Sequence, residues 1–283
     1  MTPSSLTRLV ARDRRRVDGW LHRSLRLGPD VPGRLSAAMR YAVMGPGKRV
    51  RAILALEAYR AAGGRDERWV APFCCGIEMI HSFSLVHDDL PSMDDDDYRR
   101  GRPSCHRRFD EATAILAADA LLAYAFELFG SGPAPAVRRL AATAELSRAV
   151  GPRGMAGGQM LDIRSAPGTG RRALARIHRM KTAEFLAASL VAGAVLGGVG
   201  RTARATLARA GLLLGDLFQA TDDLLDAAGR GDRRASAVST AGVESTRCRA
   251  ARLATRAGRL FESLGRRYVV LAAFPRLILD RTR

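Results

Sequence analysis

"SFSLVHDDLPSMDDDDYRRGRP", residues 82–103, is the stretch on which the reading of the whole chain turns. Six aspartates occupy the ten positions from Asp88 to Asp97, in a chain whose formal net charge is +18. The residues leading into it are apolar at helical spacing. Pro91 disfavours helix at Leu90, so a helix is expected to end there and the chain to kink or loop. Asp94 can then swing back beside Asp88, giving a DDxxxxD cluster. His81 and Asp88 are seven residues apart, nearly two turns, and share one face of that helix.

Outward from this stretch the pattern stays helical. Ala/Leu/Arg-rich segments with apolar spacings of three and four cover roughly 33–44, 48–62, 68–90, 109–129, 135–156, 171–199, 202–227 and 238–263, with another helix near the C-terminus. Turn signals separate them, among them Gly45-Pro46-Gly47, Gly63-Gly64, Gly130 to Pro135 and Gly229 to Asp232. No segment reads convincingly as a strand, and no internal repeat is visible. The expectation is an all-α, single-domain helical bundle over residues 1–283 with its site between facing helices.

A second acidic cluster lies far downstream in "FQATDDLLDAAG": Asp222, Asp223 and Asp226, at helical spacings of three and four. One such cluster is an ordinary solvated helix end. Two, both set among leucines, phenylalanine and valine, are harder to dismiss. Crowded carboxylates raise one another's pKa unless cations intervene. Oxygen ligands without His or Cys partners favour Mg²⁺, which binds through one or two carboxylates, waters and phosphate oxygens. The two clusters together therefore ask for a magnesium-bridged diphosphate.

The basic residues supply the matching cations. The 46 basic residues include two lysines, Lys48 and Lys181, and hence 44 arginines. The arginines are scattered end to end, with few aromatics near them, which argues against a nucleic-acid partner. In a chain so sparing of lysine, the two that remain stand out. "GPGKRVR" puts Lys48, Arg49 and Arg51 at a turn opening a helix, where free N–H groups and the helix dipole favour phosphate. It lacks the Ser or Thr and the glycine spacing of a Walker loop. Arg99 and Arg100 follow the first acidic cluster directly, and Lys181, Thr182 and Gln219 form a polar set on apolar helices.

Other classes recede. The four cysteines lack metal-ligand spacing and do not suggest a disulfide framework. The N-terminal stretch has no continuous apolar run, so neither a signal peptide nor a transmembrane segment is expected, and a cytoplasmic location fits. Phe185 to Val199 is too short to span a bilayer and reads as a buried helix.

In order along the chain, "GPGKRVR", "EMIHSFSLVHDDLPSMDDDDYRRGRPSCH", "GGQMLDI", "MKTAEF" and "GDLFQATDDLLD" resemble the motifs of the trans-isoprenyl diphosphate synthases, or polyprenyl synthetases, and most of all the bacterial farnesyl diphosphate synthases. The resemblance covers about residues 40 to 226. It implies an all-helical bundle around a deep cavity, usually a homodimer, acting on isopentenyl diphosphate and an allylic diphosphate. It also implies three Mg²⁺ held by Asp88 and Asp94, with Asp89 supporting, and by Asp222 with Asp223 and Asp226. Arg99, Lys181, Thr182 and Gln219 are similar to the allylic-site residues; Lys48, Arg51, His81 and Arg100 match those that bind the diphosphate of isopentenyl diphosphate. Phe83, with Ser84 one turn below Asp88, falls where an aromatic limits product length in the family, which favours a C15 product; packing in the core is the alternative for Phe83. Asp95, Asp96 and Asp97 are left to pair with Arg99, Arg100 or nearby arginines.

Three departures from the family pattern stand out. The segment after the second cluster, "AAGRGDRRASAVSTAGVES", is short and lacks the family's lysine, leaving Arg230, Arg233 or Arg234 as substitutes, though Arg and Lys are not interchangeable at a phosphate site. Ala52 replaces a proline and Ala118 a glycine. A geranyl or geranylgeranyl diphosphate synthase, or a non-catalytic subunit of a heteromeric synthase, is the competing expectation. Terpene cyclases and head-to-head synthases carry differently spaced acidic motifs.

Overall fold

The computed structural model describes residues 2–165, 169–229, 238 and 241–280. By its internal contacts the chain divides into two compact units, Thr7–Leu56 with Asp66–Arg139, and Met1–Leu6 with Glu57–Arg65 and Leu140–Arg283. The chain is all-α apart from one two-residue ladder.

The unit containing the first acidic cluster is built from most of α1 (Pro3–Ser24), α2 (Gly33–Val43), the start of α3 (Val50–Ala61), α4 (Ala71–Asp88), α5 (Cys105–Arg108) and α6 (Glu111–Ser131). Helix α4 packs against α6. Phe73 stacks on Phe129 with ring centroids 4.6 Å apart, and the inner face of α6 is mostly small, with Ala114, Ala117, Ala118 and Ala125 buried alongside Leu121. Ala118 is thus a buried methyl on a face that is already mostly small. Helix α6 starts on an Asp110 cap: the carboxylate accepts the Thr113 N–H at 2.6 Å.

The α1 helix was not legible in the sequence, because arginines break its apolar run. Its inner face repeats every four residues, Val17 and Leu21 leading to Leu25, all fully buried. A second departure lies beyond Pro91: Tyr98–Arg99 (β1) pairs antiparallel with Arg102–Pro103 (β2). The central residues Arg100 and Gly101 both have positive φ, 54° and 76°, as a two-residue I′ turn requires. Strands of two residues leave no periodic trace.

The other unit carries the end of α7 (Ala136–Val150), then α8 (Met155–Ile163), α9 (Arg171–His178), a π-helical segment (Arg179–Ala183), α10 (Glu184–Gly197), α11 (Arg201–Gly229), α12 (Val243–Glu262) and α13 (Val269–Leu279). Every residue from Phe185 to Leu196 is buried, as expected of a core helix. It packs on α11, which in turn packs on α12. The expected helix over 135–156 is broken at Gly151-Pro152-Arg153-Gly154, where proline interrupts the backbone bonding. The expected helix over 171–199 is continuous in path but changes to π geometry at Arg179–Ala183. Its neighbours come unusually close there: a Cβ on Gly158 of α8 would lie 2.3 Å from the Lys181 backbone nitrogen, and one on Gly215 of α11 would lie 2.3 Å from the Ala183 Cα. Glycine is therefore required at both positions for α8 and α11 to clasp this segment.

Two helical stretches, Glu111–Ser131 and Arg171–Gly197, are long and apolar enough to cross a membrane by length and composition alone; 72% of the best window of the second is buried in the fold. The segment holding Arg230, Arg233 and Arg234 lies outside the described residues.

Candidate functional site

In the first unit the site begins at the Gly45-Pro46-Gly47 turn. Arg49, at φ 52°, folds its guanidinium inward, donating to Asp18 Oδ1 (2.9 Å) and to the Gly45 carbonyl (3.1 Å) and approaching Glu78 Oε2 (3.5 Å). Glu78 is buried, which pushes its carboxyl up, while Arg49 and Arg51 pull it down. It also accepts the Ala52 N–H at 3.4 Å, a bond that the proline usual at this position could not donate. Arg49 therefore braces the turn from within, and Lys48 is left exposed upon it.

Arg51, Arg100 and His81 come together at this turn. Arg100 donates from Nη1 to the Pro46 carbonyl (2.6 Å), and its Nη2 lies 3.4 Å from His81 Nε2. Burial first, and then the charges of Arg51 and Arg100, hold His81 well below the ordinary imidazole range. The ring is neutral at pH 7, and with its proton on Nδ1 it accepts from Arg100.

Helix α4 ends at Asp88, and the loop folds back as the proline implied. The Asp94 N–H donates to the Asp88 carbonyl (2.9 Å) and the Asp96 N–H to that of Asp89 (3.2 Å). Asp89 is buried and bound by Arg99, through Nε at 2.8 Å and through Nη2; Asp96 shares Arg99 at 3.0 Å. Burial pushes the Asp89 carboxyl up, and the Arg99 bonds oppose it. Asp97 pairs with Arg107. Asp96 and Asp97 thus orient Arg99 and the nearby Arg107, within the expectation for the later aspartates. Asp89, Arg99 and Arg100 line a small cavity of about 50 Å³ between α2, α4 and the hairpin. Phe83 sets its ring edge-on to His87, centroids 4.8 Å apart, and Ser84 Oγ donates to the His81 carbonyl at 2.9 Å.

In the second unit the π-helical segment aims Lys181 and Thr182. Lys181 Nζ donates to Asp162 Oδ2 at 2.6 Å. Thr182 Oγ1 donates to Gln219 Oε1 (3.2 Å), whose Nε2 donates to Asp223 Oδ1 (2.9 Å). Asp222 is half-buried one residue away, Asp223 is buried and Asp226 is exposed. His178 is held below its usual range by burial, against the pull of Asp223. Asp162 and Gln159 escaped the sequence reading of individual roles. Both lie in "GGQMLDI", and the amide nitrogen and oxygen of Gln159 are buried with no hydrogen-bond partner among the described residues.

The donors offered in both units are carboxylate oxygens, which suit a hard divalent cation. Neither predicted trio is drawn into a tight cage among the described residues. The compact group there is Asp95, Asp97 and His106, whose ligand atoms lie within 4.8 Å of one another. Asp89 is turned to Arg99 and Asp223 to Gln219.

The chain is all-α, and near the ends of two of its helices carboxylates stand among arginine, lysine and amide side chains. The family model described as polyprenyl synthetase matches residues 32–235. A farnesyl diphosphate synthase of Geobacillus stearothermophilus is 44% identical over 202 residues, covering 70% of this chain and 68% of its own. The large subunit 1 of a heterodimeric chloroplastic geranylgeranyl pyrophosphate synthase of Arabidopsis thaliana is 43% identical over 203 residues, 69% of this chain and 54% of its own. Among solved structures, an FPP/GFPP synthase from Zymomonas mobilis in its apo form superposes with a TM-score of 0.88 at 32% identity, covering 98% of this chain and 100% of that one. The chain belongs to the polyprenyl synthetase family. It spans little more than half the length of the plant relatives it matches.

Proposed function

We propose that the chain is a single-domain, Mg²⁺-dependent prenyltransferase that condenses isopentenyl diphosphate head-to-tail with dimethylallyl or geranyl diphosphate and stops at farnesyl diphosphate. The observation that carries this reading is that each unit sets carboxylates among anion-binding side chains: in one, Asp89 and Asp96 bind Arg99 while the Asp94 N–H folds back onto the Asp88 carbonyl; in the other, Asp223 accepts from Gln219, which accepts from Thr182, and Asp162 accepts from Lys181.

In this reading Asp88, Asp94 and Asp222, with Asp89, Asp223 and Asp226, hold three Mg²⁺. Bound there, the metal supplies Lewis-acid stabilisation of the charge that grows on departing pyrophosphate. Arg99, Lys181, Thr182 and Gln219 hold the allylic diphosphate in place. Lys48, Arg51, Arg100 and neutral His81 hold the diphosphate of isopentenyl diphosphate; Arg100 contributes a charge already oriented by the Pro46 carbonyl, and Arg51 one that acts electrostatically on Glu78. The C1–O bond of the allylic substrate breaks, the electron pair leaves with pyrophosphate, and the double bond of isopentenyl diphosphate attacks C1. The proton lost from the adduct passes to the released pyrophosphate, so no side chain serves as nucleophile. Four free cysteines are in keeping with a reducing cytoplasm, and a homodimer completes the proposal.

The test is purified protein with Mg²⁺, isopentenyl diphosphate and each of dimethylallyl, geranyl and farnesyl diphosphate, with products sized by chromatography. C15 product from the first two and no extension of the third is expected. Absence of condensation with all three rejects the synthase reading.

A further inference from the structure

Helices α11 and α12 and the π-helical segment enclose a second groove, of about 330 Å³, that the proposed reaction does not use. Four arginines line it: Arg179, Arg209, Arg256 and Arg259. Its remaining walls are Leu212, Leu213 and Leu260, all half-buried. The arginines come from three elements, so no single helix face explains their convergence. On α12 the residues Arg249, Arg252, Arg256 and Arg259 form a stripe at spacings of three and four, and the groove takes up only the last two.

Arg179 alone has an acidic partner there, Asp216 at 3.2 Å; Arg209, Arg256 and Arg259 have none among the described residues. Four guanidiniums around one concavity repel one another, and Asp216 and Glu184, both beside Arg179, do not balance them. A phosphate group accepts bidentate bonds from such forks and removes the repulsion. The leucines offer that ligand nothing unless it also carries hydrocarbon. The volume lies at the lower end of the range for small-molecule sites, and a concave wall suits a single molecule better than a bilayer surface.

We infer that this groove is a binding site for a soluble amphiphilic anion, an aliphatic chain ending in a phosphate or diphosphate, with the head on Arg209, Arg256 and Arg259 and the chain along Leu212, Leu213 and Leu260. The inference rests on the groove and not on the proposed condensation.

n-Dodecyl phosphate, kept below its micelle concentration and titrated calorimetrically in EDTA so that metal-held diphosphate sites do not contribute, is the probe. Saturable binding is expected, weakened at least about tenfold in Arg256→Ala/Arg259→Ala and separately in Leu213→Asp. Arg252→Ala removes the same charge from the same stripe outside the groove and should bind like the parent. Equal weakening by Arg252→Ala reduces the effect to general electrostatics and overturns the site. Inorganic diphosphate binding as tightly as dodecyl phosphate overturns the apolar part of the proposal. Binding only to phosphatidylglycerol vesicles, and not to the soluble probe, replaces a groove ligand with a membrane surface and also overturns it. The proposed condensation is measured on the same variants with Mg²⁺ present; failure there leaves the EDTA titration unaffected, so the two readings fail separately.

Discussion

His81 shows how one residue couples the site to stability. Its folded pKa lies well below the ordinary value of 6.5, through burial and then through Arg51 and Arg100. An unfolded chain therefore binds the proton more readily, and the resulting contribution to stability is present above about pH 6.5 and is lost as pH falls from there toward the folded value. The urea midpoint should drop between pH 7.5 and 5.5, and His81→Gln should flatten that drop. It should not abolish it, because His178 is depressed in the same direction by its own burial. An unchanged slope in His81→Gln would mean that the imidazole is not held neutral by this surrounding. At the same scale, Arg49 and Arg51 divide two tasks that a run of basic residues makes look alike: Arg49 is buried against Asp18, Gly45 and Glu78, and is spent on the turn. Spacing placed Lys48, Arg49 and Arg51 together at the turn, and the family resemblance singled out Lys48 and Arg51; the structural task of Arg49 was not legible, since it depends on Glu78 arriving from another helix.

Among the elements, α4 and the π-helical segment bear many of the residues proposed for the site. Phe83 lies on α4 five residues before Asp88, packed against His87 at 4.8 Å. If it is the floor of the chain-length pocket, Phe83→Ala lengthens the product beyond C15; if it is packing alone, the product stays C15 and only the thermal midpoint falls. The lengthened product is the expected result, read from the same chromatogram as the parent. The end of α4 was legible in the sequence, because Pro91 imposes it and the fold-back of Asp94 onto the Asp88 carbonyl follows from it. The core helix Phe185–Leu196 was equally plain from its run of apolar residues, which Ser189 alone interrupts with a polar side chain. The π turn was not, because "RMKTA" has ordinary helical propensities, and the geometry comes from the close approach of Gly158 and Gly215 on either side. Such turns recur at functional sites, and this one bears Lys181 and Thr182. The β1–β2 hairpin was missed for a related reason: it is a turn with two pairs of residues attached, and its role is to aim Arg99 at Asp89 and Arg100 at Pro46.

For the whole molecule, family membership accounts for the all-α fold, and the outer face of α6 offers a test of the proposed homodimer. Ile115 and Leu116 stay 41% and 61% exposed there, on a helix whose other face is buried in the fold. A homodimer in light scattering, converted to monomer by Leu116→Glu, is the outcome expected of the proposed assembly; a monomeric parent would exclude it. Two clusters of crowded aspartates on so basic a chain make sense if they hold metal against a diphosphate, and the sequence exposed them because no structural demand explains both. The most direct measurement is the steady-state condensation rate of the parent, Asp88→Asn and Asp222→Asn with dimethylallyl and isopentenyl diphosphates, in Mg²⁺ and in EDTA. The account predicts activity in Mg²⁺, none in EDTA, and a loss of at least about a hundredfold in either variant, on the scale of removing one transition-state charge contact. Parent-like rates in either variant, or turnover that survives EDTA, would contradict it.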